Sequence, residues 1–371
     1  MQNEFDFIVI GAGIAGASVA AHLAATHKVL VLEMEERPGY HTTGRSAASY
    51  EPNYGPRSML AFTRASEDFF KNPPDGFAGA PLFAKRGSFF LEAEGQEQKT
   101  QDLLSKSAGL QEFSEAQTRG LFPVLKHGYA KRSFLDDSTG DLDVDLLHRG
   151  YLRLFKSHGG VLVTDGAART IERKDHRWSI STAKGTFTAP TLINAAGAWG
   201  DAVAQMAGAQ PVGLVPKRRS IGVVSVTGHH GFEAWPMVTD VGETWYAKPQ
   251  SGKLIVSSAD ATPVDPHDAY ADDMAIAEGI ARLMVATTLE VNHLDHSWGG
   301  LRSFVADGAP VVGFDPSTEG FFWLVGQGGY GIQSSPAMSR TAAALAQRQS
   351  VPGDVLAAGL DVTQIQPERL R

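Results

Sequence analysis

The sequence predicts an α/β protein in which a Rossmann-like domain is interrupted by an inserted, mainly antiparallel β-sheet domain of α+β character. Three observations carry this prediction. The chain begins with a strand–turn–helix–strand pattern, its middle is rich in short alternating strands, and its end returns to Gly-rich turns that precede a helix. At 371 residues the chain is also long for one hydrophobic core, so two domains are expected.

Residues 6–33 have the pattern of a parallel βαβ unit. The apolar run from Phe7 to Ile10 is typical of a buried strand, the Ala-rich segment from Ala15 to Ala25 predicts a helix, and Val29 to Leu32 predicts the next strand. The turn between the first strand and the helix carries glycines at G-x-G-x-x-G spacing, namely Gly11, Gly13 and Gly16. This context is the one that a dinucleotide-binding fingerprint requires.

Each part of this unit has a physical task. The three glycines permit, in order, a tight turn, close approach of the backbone to a pyrophosphate, and close packing of the helix on the strand. The helix N-terminus, at Ile14 and Ala15, presents N–H groups and partial positive charge to the phosphates. Glu33 ends the second strand and can accept hydrogen bonds from ribose hydroxyls, which disfavours a 2′-phosphate. The dinucleotide is therefore FAD or NAD.

Composition excludes several classes of function. The net charge is −8, from 33 basic and 41 acidic residues, and no basic tract indicates a nucleic-acid partner. The chain has no cysteine, which rules out disulfides, thiolate catalysis and a cysteinyl link to a flavin, and which fits a cytoplasmic protein. No uncharged apolar run of about 18 residues predicts an integral membrane segment. Glu4 and Asp6 stand where a signal peptide would carry positive charge.

Periodicity and turn residues predict helices and strands along the rest of the chain. We expect helices at Pro56 to Lys71, after a capping box at Ser114, and at Val144 to Ser157, Asp272 to Thr288 and Ser335 to Gln347. We expect strands at Gly87 to Glu92, Val161 to Val163, Trp178 to Ser181, Thr191 to Asn194, Ile221 to Val226, Thr244 to Ala247, Leu254 to Ser257 and Phe321 to Val325.

Three further stretches are rich in glycine or small residues. Residues 37–48 form a Gly- and hydroxyl-rich loop that runs into a short Ala-rich helix start, and such a loop can donate hydrogen bonds to a phosphate or a flavin edge. Residues 194–199 end a buried strand with small residues that allow another group to approach closely. Residues 326–333 form a Gly-rich loop before a helix, whose N-terminus favours negative charge. An ordinary capped turn and a plain strand-to-helix turn are the alternatives for the first two stretches.

These motifs occur together, and in this order, in a known family. The fingerprint, the 37–48 loop, the Asn194-to-Trp199 stretch, Arg302 before Pro310-Val311-Val312-Gly313, and the terminal Gly-Gly-Tyr-Gly loop resemble those of FAD-dependent amine oxidoreductases. These are the relatives of D-amino-acid oxidase, glycine oxidase and sarcosine oxidase. The resemblance covers essentially the whole chain and is closest to the bacterial D-arginine dehydrogenases.

The resemblance implies two domains with non-covalent FAD between them. The FAD-binding domain would comprise residues 1–78, 142–211 and 299–371, and the substrate-binding domain residues 79–141 and 212–298. The residues expected to contact FAD are Gly11, Gly13, Ile14, Ala15, Gly16, Glu33, Gly44, Arg45, Ser46, Ala47, Ala196, Gly197, Trp199, Gly328, Gly329, Tyr330, Gly331 and Ile332.

The resemblance also implies a reaction, the oxidation of the Cα–N bond of a D-amino acid. A hydride would pass from Cα to flavin N5, and the imino acid would hydrolyse to a 2-oxo acid and ammonia. An electron acceptor, which is a quinone, a carrier protein or oxygen, would then reoxidise the flavin. The residues that would act on the substrate are Arg219 and Arg302, which clamp its carboxylate, Tyr54 and Tyr246, which line the site, and the Gly329 carbonyl with Gln333, near its nitrogen. Two arginines can hold a carboxylate strongly in one orientation.

The expected side-chain pocket, formed by Ser49, Glu51, Ser88 and Met237, departs from the D-arginine relatives. They have a Glu that meets the basic side chain where this sequence has Ser88, a His in place of Ser49, and a Thr in place of Glu51. We expect Glu51 to face solvent, the common case for a loop carboxylate, so that neutral or apolar substrates are preferred. If Glu51 points into the pocket instead, basic substrates are preferred.

Other functions stay open at this point. A flavin oxidase of glycine, sarcosine or another secondary amine would carry the same motifs, and so would a flavin-bearing electron-transfer subunit without its own substrate site. A 2-hydroxy-acid dehydrogenase would need a base for the hydroxyl, and none is evident. We expect no metal, because His229-His230 and the pair His293 and His296 have no third ligand at a sensible spacing.

Overall fold

The computed structural model describes residues 3–226 and 231–371, and within them the chain forms ten α-helices and 21 β-strands. The strands are β1 (Phe7–Ile10), β2 (Val29–Leu32), β3 (Ser49–Tyr50), β4 (Phe83–Lys85), β5 (Ser88–Glu92), β6 (Gln111–Phe113), β7 (Arg132–Asp136), β8 (Gly140–Leu142), β9 (Val161–Val163), β10 (Thr170–Lys174), β11 (Arg177–Thr182), β12 (Gly185–Ala189), β13 (Thr191–Asn194), β14 (Val215–Val224), β15 (Met237–Asp240), β16 (Tyr246–Gln250), β17 (Lys253–Ser257), β18 (Thr262–Pro263), β19 (Leu294–Phe304), β20 (Val311–Phe314) and β21 (Phe321–Val325).

The helices connect and cover these strands. They are α1 (Ile14–Leu23), α2 (Arg57–Arg64), α3 (Glu67–Lys71), α4 (Glu97–Lys106), α5 (Glu115–Leu121), α6 (Val144–Ser157), α7 (Gly200–Met206), α8 (Asp273–Ala286), α9 (Gly331–Ala346) and α10 (Gly353–Ala357). The capping box predicted at Ser114 is confirmed at the start of α5, where the Ser114 and Gln117 side chains bond each other's backbone N–H groups.

The first of two large sheets has six strands, in the order β20-β21-β13-β1-β2-β9. All its pairings are parallel except that of β20 with β21. Alternate residues of β1 enter two cores: Phe7 and Val9 pack with α1, α6 and α9, while Ile8 and Ile10 pack toward Trp178 and the small sheet β10-β11-β12. Burial on both faces is why this strand is apolar throughout. The Rossmann-like prediction is confirmed.

The second large sheet has nine strands. Eight of them follow the order β18-β14-β17-β16-β15-β5-β7-β6, and β19 pairs with β14. Its pairings are antiparallel except that of β5 with β15, so the predicted mainly antiparallel sheet is confirmed. The core beneath it includes Phe89, Trp235, Trp245 and Leu283 of α8. The domain boundaries given above stay a prediction. The sheet takes strands from both inserted segments, and β19 runs on past residue 299.

Two predicted helices differ from the observed ones. The segment Pro56 to Lys71 is two helices, α2 and α3, because Ser66 turns its hydroxyl back to the Phe62 carbonyl oxygen at 2.7 Å. The same Ser66 hydroxyl accepts a hydrogen bond from the Ala337 N–H at 3.0 Å. Helix α9 begins at Gly331 rather than at Ser335 and contains Pro336. The Ile332 carbonyl, which a proline cannot bond, accepts from the Ser335 hydroxyl instead.

The predicted Ala-rich helix start after Arg45 is wrong. A short 3₁₀-helix spans Thr42–Arg45 and ends there, because Ser46 is extended and Ala48 has a φ of 58°. The chain then enters β3, which pairs with β8 in a second small sheet, β3-β8-β4. After Arg45 the loop is therefore not helical, and its Ala48 carbonyl oxygen accepts from the Leu142 N–H at 2.9 Å.

Candidate active site

A cleft of about 440 Å³ runs from the carboxyl ends of β1, β2 and β13 to the face of the nine-stranded sheet. Ligands bind at this edge of open α/β sheets, where the strand order reverses. The cleft wall is made by loops at the nucleotide end and by strand side chains at the other end.

The glycines of the fingerprint shape the nucleotide end. Gly11 has a φ of 100°, and a Cβ there would meet the Ala195 carbonyl oxygen at 2.5 Å. A Cβ on Gly16 would overlap the Gly11 carbonyl oxygen, so α1 can pack on β1 only with glycine here. The N-cap residue of α1, Gly13, has no side chain, and the first turn of the helix holds no acidic residue. This end of the cleft therefore suits a negatively charged group.

Glu33 lies at the end of β2 and is buried. Its Oε2 accepts from the Ala12 N–H at 2.8 Å, and its Oε1 accepts from the Glu35 N–H at 3.0 Å. Two backbone donors fix the direction of the carboxylate, and each oxygen keeps a free lone pair toward the cleft. The arrangement fits the predicted role of accepting hydrogen bonds from ribose hydroxyls.

The 37–48 loop lines the cleft through its backbone and short side chains. Thr43 accepts the Ile14 N–H through its hydroxyl at 2.9 Å. The Arg45 guanidinium is not a free cation in the cleft. It pairs with Asp268 and donates to the carbonyl oxygens of Ala269 and Gly299, so it connects the loop to the nine-stranded sheet. The predicted contact of Arg45 with the cofactor stays a prediction. Its guanidinium is already engaged, so such a contact would have to come from the backbone.

Lys248 holds the same loop from the opposite side. Its buried ammonium donates to the Ala47 and Ala48 carbonyl oxygens at 2.7 and 3.3 Å and pairs with Asp141 at 2.8 Å. Burial lowers the pKa of Lys248, while Asp141 raises it. Sequence analysis missed this residue, which lies two positions beyond Tyr246 on β16.

The remaining wall of the nucleotide end comes from the two other small-residue stretches. Ala196, Gly197 and Trp199 line the cleft after β13, and so do Gly328, Gly329, Gly331 and Ile332 at the start of α9. No side chain caps the N-terminus of α9, and its first turn holds no acid. Three predicted cofactor residues lie behind the lining: Gly16 and Gly44 pack against backbone, and the Tyr330 ring packs against Tyr54 and Phe304.

Arg302 is the central cation of the substrate end. Its Nη2 donates to the Tyr54 hydroxyl at 3.3 Å, and its guanidinium lies about 6 Å from the rings of Tyr54, Phe304 and Tyr330. Within residues 3–226 and 231–371, no carboxylate lies within 4 Å of it. A Cβ on Gly329 would overlap this guanidinium, so with any other residue there the Arg302 side chain would have to move. A half-buried guanidinium without a carboxylate partner is suited to bind an anion, so the predicted role of Arg302 fits this geometry and stays a prediction.

Arg219 lies on the same face of the sheet. On β14 it stands opposite Gly300, and Lys217 stands opposite Arg302, so Arg219 and Arg302 are diagonal neighbours. Arg219 donates from Nε to the Asp260 carbonyl oxygen at 2.8 Å and lines the cleft. Arg218 points to the other face and pairs with Asp272 at 2.6 Å. The structure thus brings together the two predicted arginines and leaves their neighbour outside the cleft.

Tyr54, Tyr246 and Gln333 also line the cleft, as predicted. The Gln333 amide is fully engaged, however. Its Oε1 accepts from the Glu51 N–H at 2.9 Å, and its Nε2 donates to the Glu51 carbonyl oxygen at 3.3 Å and the Thr63 hydroxyl at 3.2 Å. Gln333 therefore holds the backbone of the Glu51 loop, and its predicted place beside the substrate nitrogen stays a prediction.

Glu51 does not face solvent, and that expectation is wrong. It lines the cleft, where its Oε1 accepts from the Ser88 hydroxyl at 2.9 Å. Burial raises the pKa of Glu51 to about 8, against the opposing effect of the Ser88 hydrogen bond. Ser49 and Met237 lie in the same part of the cleft, with the Ser49 hydroxyl 3.8 Å from the Met237 sulfur. The physical reason is that Gln333 turns the loop inward by holding its backbone.

Sequence analysis missed several cleft residues that strand alternation could have identified. Phe90 lies two positions after Ser88, Thr239 two after Met237, and Ile221 two after Arg219, and all three line the cleft. Side chains two apart on a strand share a face. A further lining residue, Glu243, has a φ of 52° in the turn before β16 and carried no sequence signal.

The histidines considered as metal ligands have separate outcomes. His296 lies in β19 rather than in a loop, and His293 is exposed just before it. Residues 229–230 lie outside the described residues. Among the described residues, no group of three His, Cys, Asp or Glu side chains is placed to hold a metal ion.

The glycine cradle, the acid at the end of β2 and the two helix N-termini without acidic residues define a protein of the dinucleotide-binding class, with a second sheet that lines the other end of the cleft. The sequence profile of the family described as "DAO: FAD dependent oxidoreductase" matches residues 6–345. The chain belongs to this family, and FAD is its cofactor.

The relatives found by sequence are distant but cover most of the chain. The uncharacterized oxidoreductase YurR of Bacillus subtilis is 23% identical over 89% of this chain and 91% of its own length. Glycine oxidase of Bacillus licheniformis is 23% identical over 91% of each chain. The mitochondrial sarcosine dehydrogenase of Mus musculus is 24% identical over 87% of this chain and 37% of its own.

Solved structures show the same fold. L-proline dehydrogenase from P. horikoshii superposes with a TM-score of 0.84 at 17% identity, covering 100% of this chain and 98% of the other. Glycine oxidase from Geobacillus kaustophilus superposes with a TM-score of 0.83 at 19% identity, covering 98% of both chains. In the part of the chain that the structure describes, no helix has the length and apolar character needed to cross a bilayer.

Proposed function

We propose that this protein oxidises the Cα–N bond of a D-amino acid to an imino acid, which hydrolyses to a 2-oxo acid and ammonia. The observation that carries the proposal is the arginine pair. Arg302 and Arg219 share one face of the cleft, and no carboxylate within the described residues lies within 4 Å of either guanidinium. A bound carboxylate would supply the missing anion. The D configuration rests on the resemblance of the motifs to D-arginine dehydrogenases.

The residues divide the work of binding. Arg302 and Arg219 orient the carboxylate, and the Tyr54 hydroxyl, which Arg302 already bonds, stands beside it. We propose that the carbonyl of Gly329, which lines the cleft, accepts from the substrate nitrogen. With both ends held, Cα presents one fixed face, and such positioning lowers the barrier substantially. When FAD is bound it supplies the hydride acceptor, and the electrons pass on to a quinone, a carrier protein or oxygen.

A second candidate is the oxidation of glycine, sarcosine or another secondary amine. Glycine oxidase and sarcosine dehydrogenase are among the relatives, and these substrates also carry a carboxylate for the arginine pair. A flavin-bearing electron-transfer subunit without a substrate site is disfavoured, because such a subunit has no use for two unpaired arginines in its cleft.

The cofactor is proposed to be held without a covalent bond. The chain lacks cysteine, and the ring of His41, which lines the cleft, is engaged by Glu35 at 2.8 Å and packs on Trp199 at 4.6 Å. Denaturation should therefore release all the flavin. We also propose that the protein acts in the cytoplasm, from its lack of cysteine.

Anaerobic bleaching of the flavin tests the reaction. We expect D-amino acids to bleach it fastest, with L-amino acids, glycine, sarcosine, L-proline and 2-hydroxy acids slower. Bleaching by glycine or sarcosine and by no D-amino acid would establish the second candidate instead. Reoxidation by oxygen compared with a soluble quinone then identifies the acceptor.

A further inference from the structure

We infer that Glu51 and Ser88 form a subsite that selects substrates with a positively charged side chain. The inference rests on the proposed function and adds the chemical class of the substrate. It starts from the charges of the cleft, which the described part of the chain leaves unbalanced in two places: Arg219 and Arg302 have no anion within 4 Å, and Glu51 has no cation within that distance.

The sheet order sets the distance between these charges. Arg219 is on β14 and Ser88 is on β5, with β17, β16 and β15 between them. Four strand spacings amount to about 19 Å along a flat sheet. Long inward side chains and sheet twist shorten the gap, but glycine and sarcosine have no side chain on Cα that could extend from the arginines toward Glu51. A long side chain is needed to bring a second group to Glu51.

The lining between the two ends suits such a side chain. Tyr246 on β16 and Met237 on β15 line the cleft between Arg219 and Ser88, and Met237 stands directly beside Ser88 in the register. An aromatic ring and a thioether give methylene groups an apolar wall. A cation at the end of those methylenes would then meet the Glu51 carboxylate.

No residue of the described chain already fills this role. The charge of Lys248 lowers the pKa of Glu51, but the Lys248 ammonium is already bonded to Asp141 and to two carbonyl oxygens. Asp136 and Asp141 face Glu51 with like charge and oppose its ionisation, and the Ser88 hydroxyl, itself accepting from Thr139, is its hydrogen-bond donor. Burial and the like charges favour the protonated form of the Glu51 carboxyl, and a cation bound beside it would favour the charged form.

The test is the ratio of kcat/KM for D-arginine to that for D-citrulline, which has nearly the same shape without the charge. We expect a ratio of about ten or more in the wild type at high pH, the size of a charge-assisted pair. The ratio should rise as the pH passes through about 8, the pKa of Glu51. Ionisation of the substrate α-amine and of shared enzyme groups affects both substrates, so it cancels in the ratio.

Variants assign the effect to the subsite. Glu51→Gln should bring the ratio near one and remove its dependence on pH, and Ser88→Ala should lower it less. Glu112→Gln is the matched control. This carboxylate is on β6 of the same sheet but exposed and paired with Arg132, and the ratio should not change. If Glu51→Gln fails to fold, the pH profile of the wild-type ratio and the ratio in Ser88→Ala still test the subsite.

Each failure has its own signature. A wild-type ratio near one at every pH, or a high ratio that survives Glu51→Gln, overturns the subsite while D-citrulline turnover still supports the proposed function. Bleaching by glycine or sarcosine and by no D-amino acid overturns the proposed function, and the subsite with it.

Discussion

The two ends of the cleft are built in opposite ways. The nucleotide end is made of backbone: glycines, helix N-termini and loop amides, with Glu33 and Arg45 already engaged by the chain. The substrate end is made of side chains that meet from distant segments, among them Arg219, Arg302 and Glu51, and these lack counter-charges within the described chain. The nucleotide end is therefore held in shape by the chain itself, whereas we propose that the substrate supplies the missing counter-charges at the other end.

This difference predicts how each end responds to change. Backbone sites depend on the absence of side chains, so adding one atom should destroy them. Side-chain sites should lose function by degrees, one interaction at a time. Three predictions, from the largest effect to the smallest, test that contrast.

The largest effect is expected for Gly16→Ala. The new Cβ would overlap the Gly11 carbonyl oxygen, so α1 must move off β1 and take the phosphate-facing turn with it. We expect protein without bound flavin and a much lower soluble yield. Flavin absorbance per protein after gel filtration measures this. Gly120→Ala is the control, because a Cβ there meets nothing within 4 Å. Retention of full flavin by Gly16→Ala would contradict the backbone account.

A smaller effect, with flavin retained, is expected for Arg302→Met and Arg219→Met. A hydrogen bond to a charged group contributes about 1.5–3 kcal/mol, so each variant should lose about ten- to a hundredfold in kcat/KM. The double variant should lose less than the product, since both arginines hold one carboxylate. Arg218→Met is the matched control, because this neighbour pairs with Asp272 on the other face. Wild-type turnover in either cleft variant would remove that arginine from the clamp.

The smallest effect is expected for Lys248→Met. The Ala47 and Ala48 carbonyls lose their donor, but Asp141 keeps Arg86 as a partner at 2.6 Å. We expect a loss of about 1–2 kcal/mol in the free energy of unfolding, measured with urea on the holoenzyme. Lys85→Met removes an exposed pair with Asp137 and should cost about 0.5 kcal/mol or less. Equal losses in the two variants would show that Lys248 does not anchor the loop.

The same contrast explains what the sequence could predict. The fingerprint and Glu33 are local in sequence, and their positions follow from strand, turn and helix patterns alone. Arg219 and Arg302 needed the resemblance to a family. The direction of Glu51 could not be predicted, because its backbone partner Gln333 is 282 residues away and its side-chain partner Ser88 is 37 away. The break between α2 and α3 at Ser66 could not be predicted for the same reason, because the hydrogen bond between Ser66 and Ala337 joins residues 271 positions apart.

The alternation of Arg218 and Arg219 along β14 also bears on how such an enzyme diversifies. Arg218, on the outer face, pairs with Asp272, whereas Arg219, on the inner face, lines the cleft. We expect a substitution at an inward position such as Met237 to alter substrate choice and to leave the nucleotide end unchanged, because that end is built from other segments of the chain. Related enzymes with this sheet can therefore acquire new substrates by point mutation while they keep the same redox chemistry.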